Sequence, residues 1–197
     1  MTGFFDRFLA RRRGQGMPVV TTKGGDTGKS SLYSGEFLPK SDRHFEVIGD
    51  IDELSSLLGV ARYQPAATHP GISKEILHIQ QLLQHAMAIT ATRPDSELYQ
   101  MLTKINEKDI TWIEGRQTHY AARTVIEPRF VLPGEKSETS AWLDYCRSVT
   151  RRCERRIVGF IHDEPNLHHE DLYCTQRFFN RLSDYLFVLA RYIETGR

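Results

Sequence analysis

The chain has 197 residues, with 26 Lys plus Arg against 25 Asp plus Glu and a formal net charge of +1 at pH 7. That length suits one domain with a sizeable core, and the balanced charge gives no reason to expect nucleic acid as the main partner. Cys146, Cys153 and Cys174 form no C-x-x-C pair, which points to a reducing cytosol rather than a zinc site or disulfide framework, and no apolar run approaches the ~20 residues that span a bilayer.

Residues 1–17 mix Phe4, Phe5, Phe8 and Leu9 with Arg7, Arg11, Arg12 and Arg13. They read as a flexible basic tail, since Asp6 and the shortness of the segment oppose a transit peptide. A single domain is expected over 18–197. Its opening, Gly24 to Ser31 (GGDTGKSS), is close to the phosphate loop G-x-x-x-x-G-K-[ST] without matching it. Counting back five from Gly28 reaches Lys23, and Gly35 and Pro39 stand where a helix should run. Glycines still let backbone N–H groups approach an anion, and Lys23 and Lys29 add point charges. A polyphosphate loop and an ordinary polar turn both stay open on this stretch alone.

Past Lys40 the apolar spacing becomes helical. Val47, Ile51, Leu54, Leu58 and Ala61 predict a helix over Phe45 to Arg62, with Asp50, Asp52 and Glu53 suiting its early turns. Ile76, Ile79, Leu83, Met87 and Thr90 predict a second, beginning after Pro70-Gly71. Ile110, Ile113 and Tyr120 predict a weaker third from about Asp109 to Arg123. Trp142, Cys146, Val149, Cys153, Ile157 and Phe160 predict a fourth over Glu138 to His162. Phe178 or Phe179, with Leu182, Leu186 and Leu189, predict a fifth over Glu170 to Ile193. Breaks fall at Pro65, Pro94, Pro128 to Gly134 and Pro165. With no strand–turn–strand series, the fold class is all-α: a five-helix up-down bundle, ferritin-like, with an irregular N-terminal segment.

Two helices carry chemistry on their polar sides. Arg147, Arg151 and Glu154 share one face, with Arg155 beside them, and residues 147–156 hold five arginines. Arginine alone suits bidentate recognition of phosphate or carboxylate, although charged helix faces are commonly just solvated. On the fifth helix Arg177, Asn180 and Asp184 form a polar strip beside an apolar one. A mid-helix asparagine must find hydrogen bonds, so Asn180 serves either the core or a ligand. The eight histidines are dispersed and none is assigned to a metal.

Three blocks together resemble the PduO-type ATP:cob(I)alamin adenosyltransferases. They are residues 21 to 62 (TTKGGDTGKSSLYSGEFLPKSDRHFEVIGDIDELSSLLGVAR), FVLPG at Phe130 to Gly134, and CRSVTRRCERR followed by NRLSDYLFVLAR. The resemblance implies a homotrimer of five-helix bundles with active sites at the subunit interfaces. It implies ATP held by Thr22, Lys23, Gly24, Gly25, Ser30, Ser31 and Lys40, by Arg151, Arg152, Cys153, Glu154 and Arg155, and by Asn180. It implies Mg2+ carried on the ATP phosphates near Glu154, rather than on protein ligands alone. It also implies that Asp52 pairs across the interface with Arg147, and that Phe130 lies beside the corrin and helps remove the lower axial ligand. The implied reaction moves the 5′-deoxyadenosyl group of ATP to the Co(I) of cob(I)alamin, in the cytoplasm, with a reductase or an adenosylcobalamin-dependent enzyme as further partner.

The chain departs from that pattern in places. Gly134 is followed by Glu135 where the family usually has a second glycine, and one extra residue precedes Arg147. Thr118 stands near a common aspartate of the third helix, and Gln84-His85-Ala86 replaces an aromatic-Asp-Leu-Gly pattern. A non-catalytic ATP- or corrinoid-binding bundle acting as sensor or carrier is the alternative that altered corrin-side loops would favour. A P-loop kinase lacks its strand–loop–helix context, and a nucleic-acid-binding protein leaves the glycine-rich loop unexplained.

Overall fold

Alternating spacings of three and four put apolar side chains on one stripe of each long helix, and burying those stripes against one another builds the molecule. The structure, a computed structural model, describes residues 23–63, 69–163 and 169–196. The basic tail and Thr22, and the breaks at Pro65 and Pro165, lie outside the described residues. The elements are β1 (Lys29–Ser31), β2 (Phe37–Pro39), α1 (Arg43–Tyr63), α2 (Pro70–Thr90), α3 (Glu97–Gln100), α4 (Glu107–Ala121), α5 (Glu138–Asp163) and α6 (His169–Ile193).

Local chemistry sets the helix starts. Asp42 Oδ1 accepts the backbone N–H of His44 (3.0 Å) ahead of α1, Pro70 occupies the first turn of α2, and Asn106 with Asp109 forms a capping box on α4. Three features go beyond the helical spacing. One is the antiparallel pair β1–β2, with Ser30 opposite Leu38. Another is the single turn α3, capped by Ser96. The third is Trp142, half-buried rather than inward with Cys146 and Val149.

Cross-helix contacts give the directions. α1 runs antiparallel to α5, because Arg43 at its start pairs with Asp163 and Glu53 further on pairs with Arg152. α4 and α6 run parallel, with Glu107–Arg177 at 2.6 Å and Glu114–Arg181 at 2.8 Å. Glu75 of α2 closes the ring of helices. It accepts from Tyr120 Oη of α4 (3.1 Å) and Tyr185 Oη of α6 (3.0 Å), and ion-pairs with Arg116 (2.6 Å). Tyr185 is fully buried, so its hydroxyl needs that acceptor. The result is an all-α bundle of five long helices. Among the described residues no helix is long and apolar enough to cross a membrane.

Candidate active site

Turn chemistry shapes the glycine-rich segment before any ligand is considered. Asp26 N–H donates to Lys23 O (3.2 Å) and Gly28 N–H to Gly25 O (3.2 Å), so two tight turns precede β1. Gly28 adopts φ +75, a backbone that L side chains resist, and Lys23 itself sits at φ 55. A Cβ on Gly25 would lie 2.9 Å from Lys40 Nζ. That glycine is what lets the Lys40 ammonium lie over the turn. Lys23, Gly24, Gly25, Ser30, Ser31 and Lys40 therefore fall on one hairpin, with Lys23, Ser31 and Lys40 exposed.

The hairpin is anchored at its far end. Leu32 is buried, Tyr33 N–H donates to Ala91 O (2.7 Å), and Arg93 N–H donates to Ser34 Oγ (3.0 Å). Ser34 in turn donates to Glu36 (2.5 Å), a bond that, with the nearby Arg93 cation, helps hold that carboxyl below its usual range. These anchors join the loop to the end of α2. The sequence carried no signal for Ser34 and Arg93, which are 59 residues apart.

The arginine run of α5 divides into three environments. Arg152 and Arg156 face α1: Arg152 pairs with Asp50 (3.2 Å) and Glu53, and Arg156 with Glu46 (2.9 Å) and Asp50. Acids at 46, 50 and 53 opposite arginines at 152 and 156 form an interhelical ladder, a pattern that spacing alone could have disclosed. Cys153 lies inward and buried, its thiol donating to Asp50 O (3.2 Å). Burial, and after it the Asp50 charge, push that thiol up to about 12, so it offers the surface neither a side chain nor a thiolate.

The remaining face holds Arg147, Arg151, Glu154 and Arg155. Arg151 and Arg155 are exposed, and Arg155 Nη1 donates to the Arg151 carbonyl (3.1 Å). Glu154 accepts from Asn180 Nδ2 across the α5–α6 seam (2.9 Å). Asn180 accepts from Arg181 (2.5 Å), and Arg181 is fixed by Glu114 of α4 (2.8 Å). Asn180 thus orients Glu154, with Arg181 behind it as a buttress that sequence reading did not single out. Arg177 pairs with Glu107, while Asp184 is exposed.

Neither Asp52 nor Arg147 makes an ion pair among the described residues. Asp52 is exposed on α1. Arg147 is half-buried on α5 with its Nε unpaired and its guanidinium 5.9 Å from the Phe187 ring centre. Phe130 is 99% exposed on the segment between α4 and α5. That segment is closed by Arg129, which meets Glu127 at 2.6 Å and Glu135 at 3.0 and 3.1 Å. Glu135, the departure from a second glycine, is used here as a clasp. Among the described residues no group of three or more His, Cys, Asp or Glu is placed to hold a metal ion.

The five-helix bundle is shared with PduO-type ATP:corrinoid adenosyltransferases. A variant of that enzyme from Lactobacillus reuteri, solved in complex with cobalamin and ATP, superposes with a TM-score of 0.80 at 30% identity, covering 90% of this chain and 94% of that one. The chain belongs to the cobalamin adenosyltransferase family, whose model matches residues 20–193. It is 35% identical to the corrinoid adenosyltransferase MMAB of Mus musculus over 95% of this chain and 77% of that protein. It is 34% identical to the corrinoid adenosyltransferase of Bacillus subtilis over 88% and 85%.

Proposed function

We propose that the chain transfers the 5′-deoxyadenosyl group of ATP to the Co(I) of cob(I)alamin, giving adenosylcobalamin and triphosphate. The observation that carries this is the exposed Arg151 beside a half-buried Glu154–Asn180 pair at the α5–α6 seam, that pair held from behind by Arg181 and Glu114, in a member of this family. The Co(I) electron pair forms the Co–C5′ bond as C5′–O5′ breaks. The bonding electrons leave with triphosphate, and cobalt ends as Co(III).

Cobalt supplies the nucleophile, so the protein needs none of its own. Its work is alignment of cobalt with C5′ and neutralisation of the charge growing on triphosphate. Arg151, with Arg155 beside it, meets that charge, and Lys23, Lys40 and the hairpin N–H groups hold the phosphates. Glu154 is the carboxylate that would meet a Mg2+ ion carried on the phosphates, which would supply further charge neutralisation there. Arg152 serves the site indirectly, by fixing α5 against α1. Phe130 stands against the corrin and disfavours the lower axial ligand.

Asp52 and Arg147 are left to pair between copies, in a trimer with shared sites such as the family resemblance implies; three chains of 22.7 kDa give about 68 kDa. Val60 and Tyr63, exposed on α1 beyond Asp52, supply apolar surface for that contact. Residues 18–197 act as one domain behind a basic tail, in the cytoplasm, receiving reduced corrinoid from a reductase and passing product to an adenosylcobalamin-dependent enzyme. Anaerobic incubation with chemically reduced cobalamin, ATP and Mg2+ tests the reading: the Co(I) absorption band should disappear. ATP binding with the band unchanged would mark a sensor or carrier instead.

A further inference from the structure

Arg147 lies one helical turn from a carboxylate it does not use. Residues three apart on a helix are neighbours, and Asp144 is three before Arg147. Asp144 is instead paired with Arg191 of α6 at 2.6 Å, and both side chains are nearly inaccessible, 4% and 7%. Arg191 also meets Glu194 at 2.9 Å. The guanidiniums of Arg191 and Arg147 lie 5.4 and 5.9 Å from the centre of the same Phe187 ring. Arg147 therefore shares the Phe187 ring with Arg191, stands one helical turn from Asp144, carries an unpaired Nε, and makes no ion pair among the described residues.

From this juxtaposition we infer that Arg191 is a positioning residue for Arg147: by occupying Asp144, it keeps the Arg147 guanidinium available for an acid from a second copy of the chain. A buried carboxylate whose partner is removed must find another cation. The cation within reach on the same helix is Arg147. Without Arg191, Arg147 turns back along α5 to Asp144 and is lost to the interface. The inference rests on the pairing of Arg147 with Asp52 of a second copy.

The test compares sedimentation and turnover of the full chain as Arg147→Gln, Arg191→Lys, Arg191→Gln, Asp144→Asn, and Asp144→Asn with Arg191→Gln. Arg191→Gln is expected to dissociate at a protein concentration roughly tenfold above the unsubstituted chain, with kcat/KM down roughly tenfold, the scale of a lost interfacial charge contact. Arg191→Lys, which keeps a cation on Asp144, should stay assembled. Asp144→Asn should also stay assembled, and the double substitution should recover assembly, because no intrahelical acid is then left to capture Arg147. A purely structural pair predicts no such recovery. Unchanged assembly of Arg147→Gln would remove the underlying pairing with Asp52. Weakened assembly of Arg147→Gln, together with a normal Arg191→Gln or a folded but dissociated double variant, would overturn the inference alone. Should Arg191→Gln not fold, the double variant decides: an assembled trimer supports the inference, and a monomer or an unfolded chain overturns it.

Discussion

Arg151 and Arg152 are adjacent in sequence and differ in what they touch. Arg152 is engaged by Asp50 and Glu53 of α1, whereas Arg151 is exposed and is the side chain proposed to meet the triphosphate. Arg151→Ala should lower turnover at least ~30-fold, equivalent to about 2 kcal/mol of transition-state stabilisation, with the thermal midpoint nearly unchanged. Arg152→Ala should do the reverse. It leaves Asp50, half-buried, short of a partner, so it should cost about 1–2 kcal/mol of stability and less turnover than Arg151→Ala. Steady-state rates and melting curves on the two variants check both. Near-normal turnover of Arg151→Ala would return the exposed arginines to a solvated face. The sequence shows five arginines as one cluster. That Arg152 and Arg156 turn to α1 depends on acids 99 and 110 residues away, legible only when the acid spacing of α1 is set against the arginine spacing of α5.

At the scale of elements, the hairpin is where sequence and structure diverge most. The spacing correctly places five long helices, and the structure extends the first to Arg43 and the third back to Glu107 because Asp42 and Asn106 cap them. Strands of three residues between glycines carry no readable period, so β1 and β2 stayed hidden, although their turn residues were conspicuous. The geometry predicts a separation of binding from folding. In Gly25→Ala the new Cβ crowds the flexible end of Lys40 (2.9 Å to Nζ, 3.2 Å to Cε) and otherwise makes an ordinary contact with the Lys29 carbonyl at 3.9 Å. The chain should fold normally while Lys40 is displaced from the turn. KM for ATP should rise about tenfold, the equivalent of one charge-assisted contact at ~1.4 kcal/mol, with the melting midpoint within ~2 °C of the parent. Unchanged KM would detach Lys40 from the nucleotide.

For the whole molecule, burial sets a limit at alkaline pH. Burial pushes the Tyr120 hydroxyl from 10.0 to about 12, and the Cys146 and Cys153 thiols from 9.0 to about 12. Native values raised above unfolded ones mean a contribution fully present below pH 9, where both states hold the protons. As pH rises further the unfolded chain ionises first, and stability falls progressively toward pH 12. Urea midpoints should therefore hold level to about pH 9 and fall above it; a midpoint flat through about pH 11 would contradict this account of the core.

The alternation of apolar residues made the bundle itself legible. The ring closure through Glu75 was not, because Tyr120, Tyr185 and Arg116 converge on it from two other helices. Adenosyl transfer can be followed atom by atom with labelled ATP. With radiolabel at C5′ and on the γ-phosphate, and reduced cobalamin in the absence of oxygen, the C5′ label should appear in a light-labile corrinoid. The γ label should leave in intact triphosphate, one for each cobalt alkylated. Release of the γ label as phosphate, or an unlabelled corrinoid after ATP is consumed, would contradict the account.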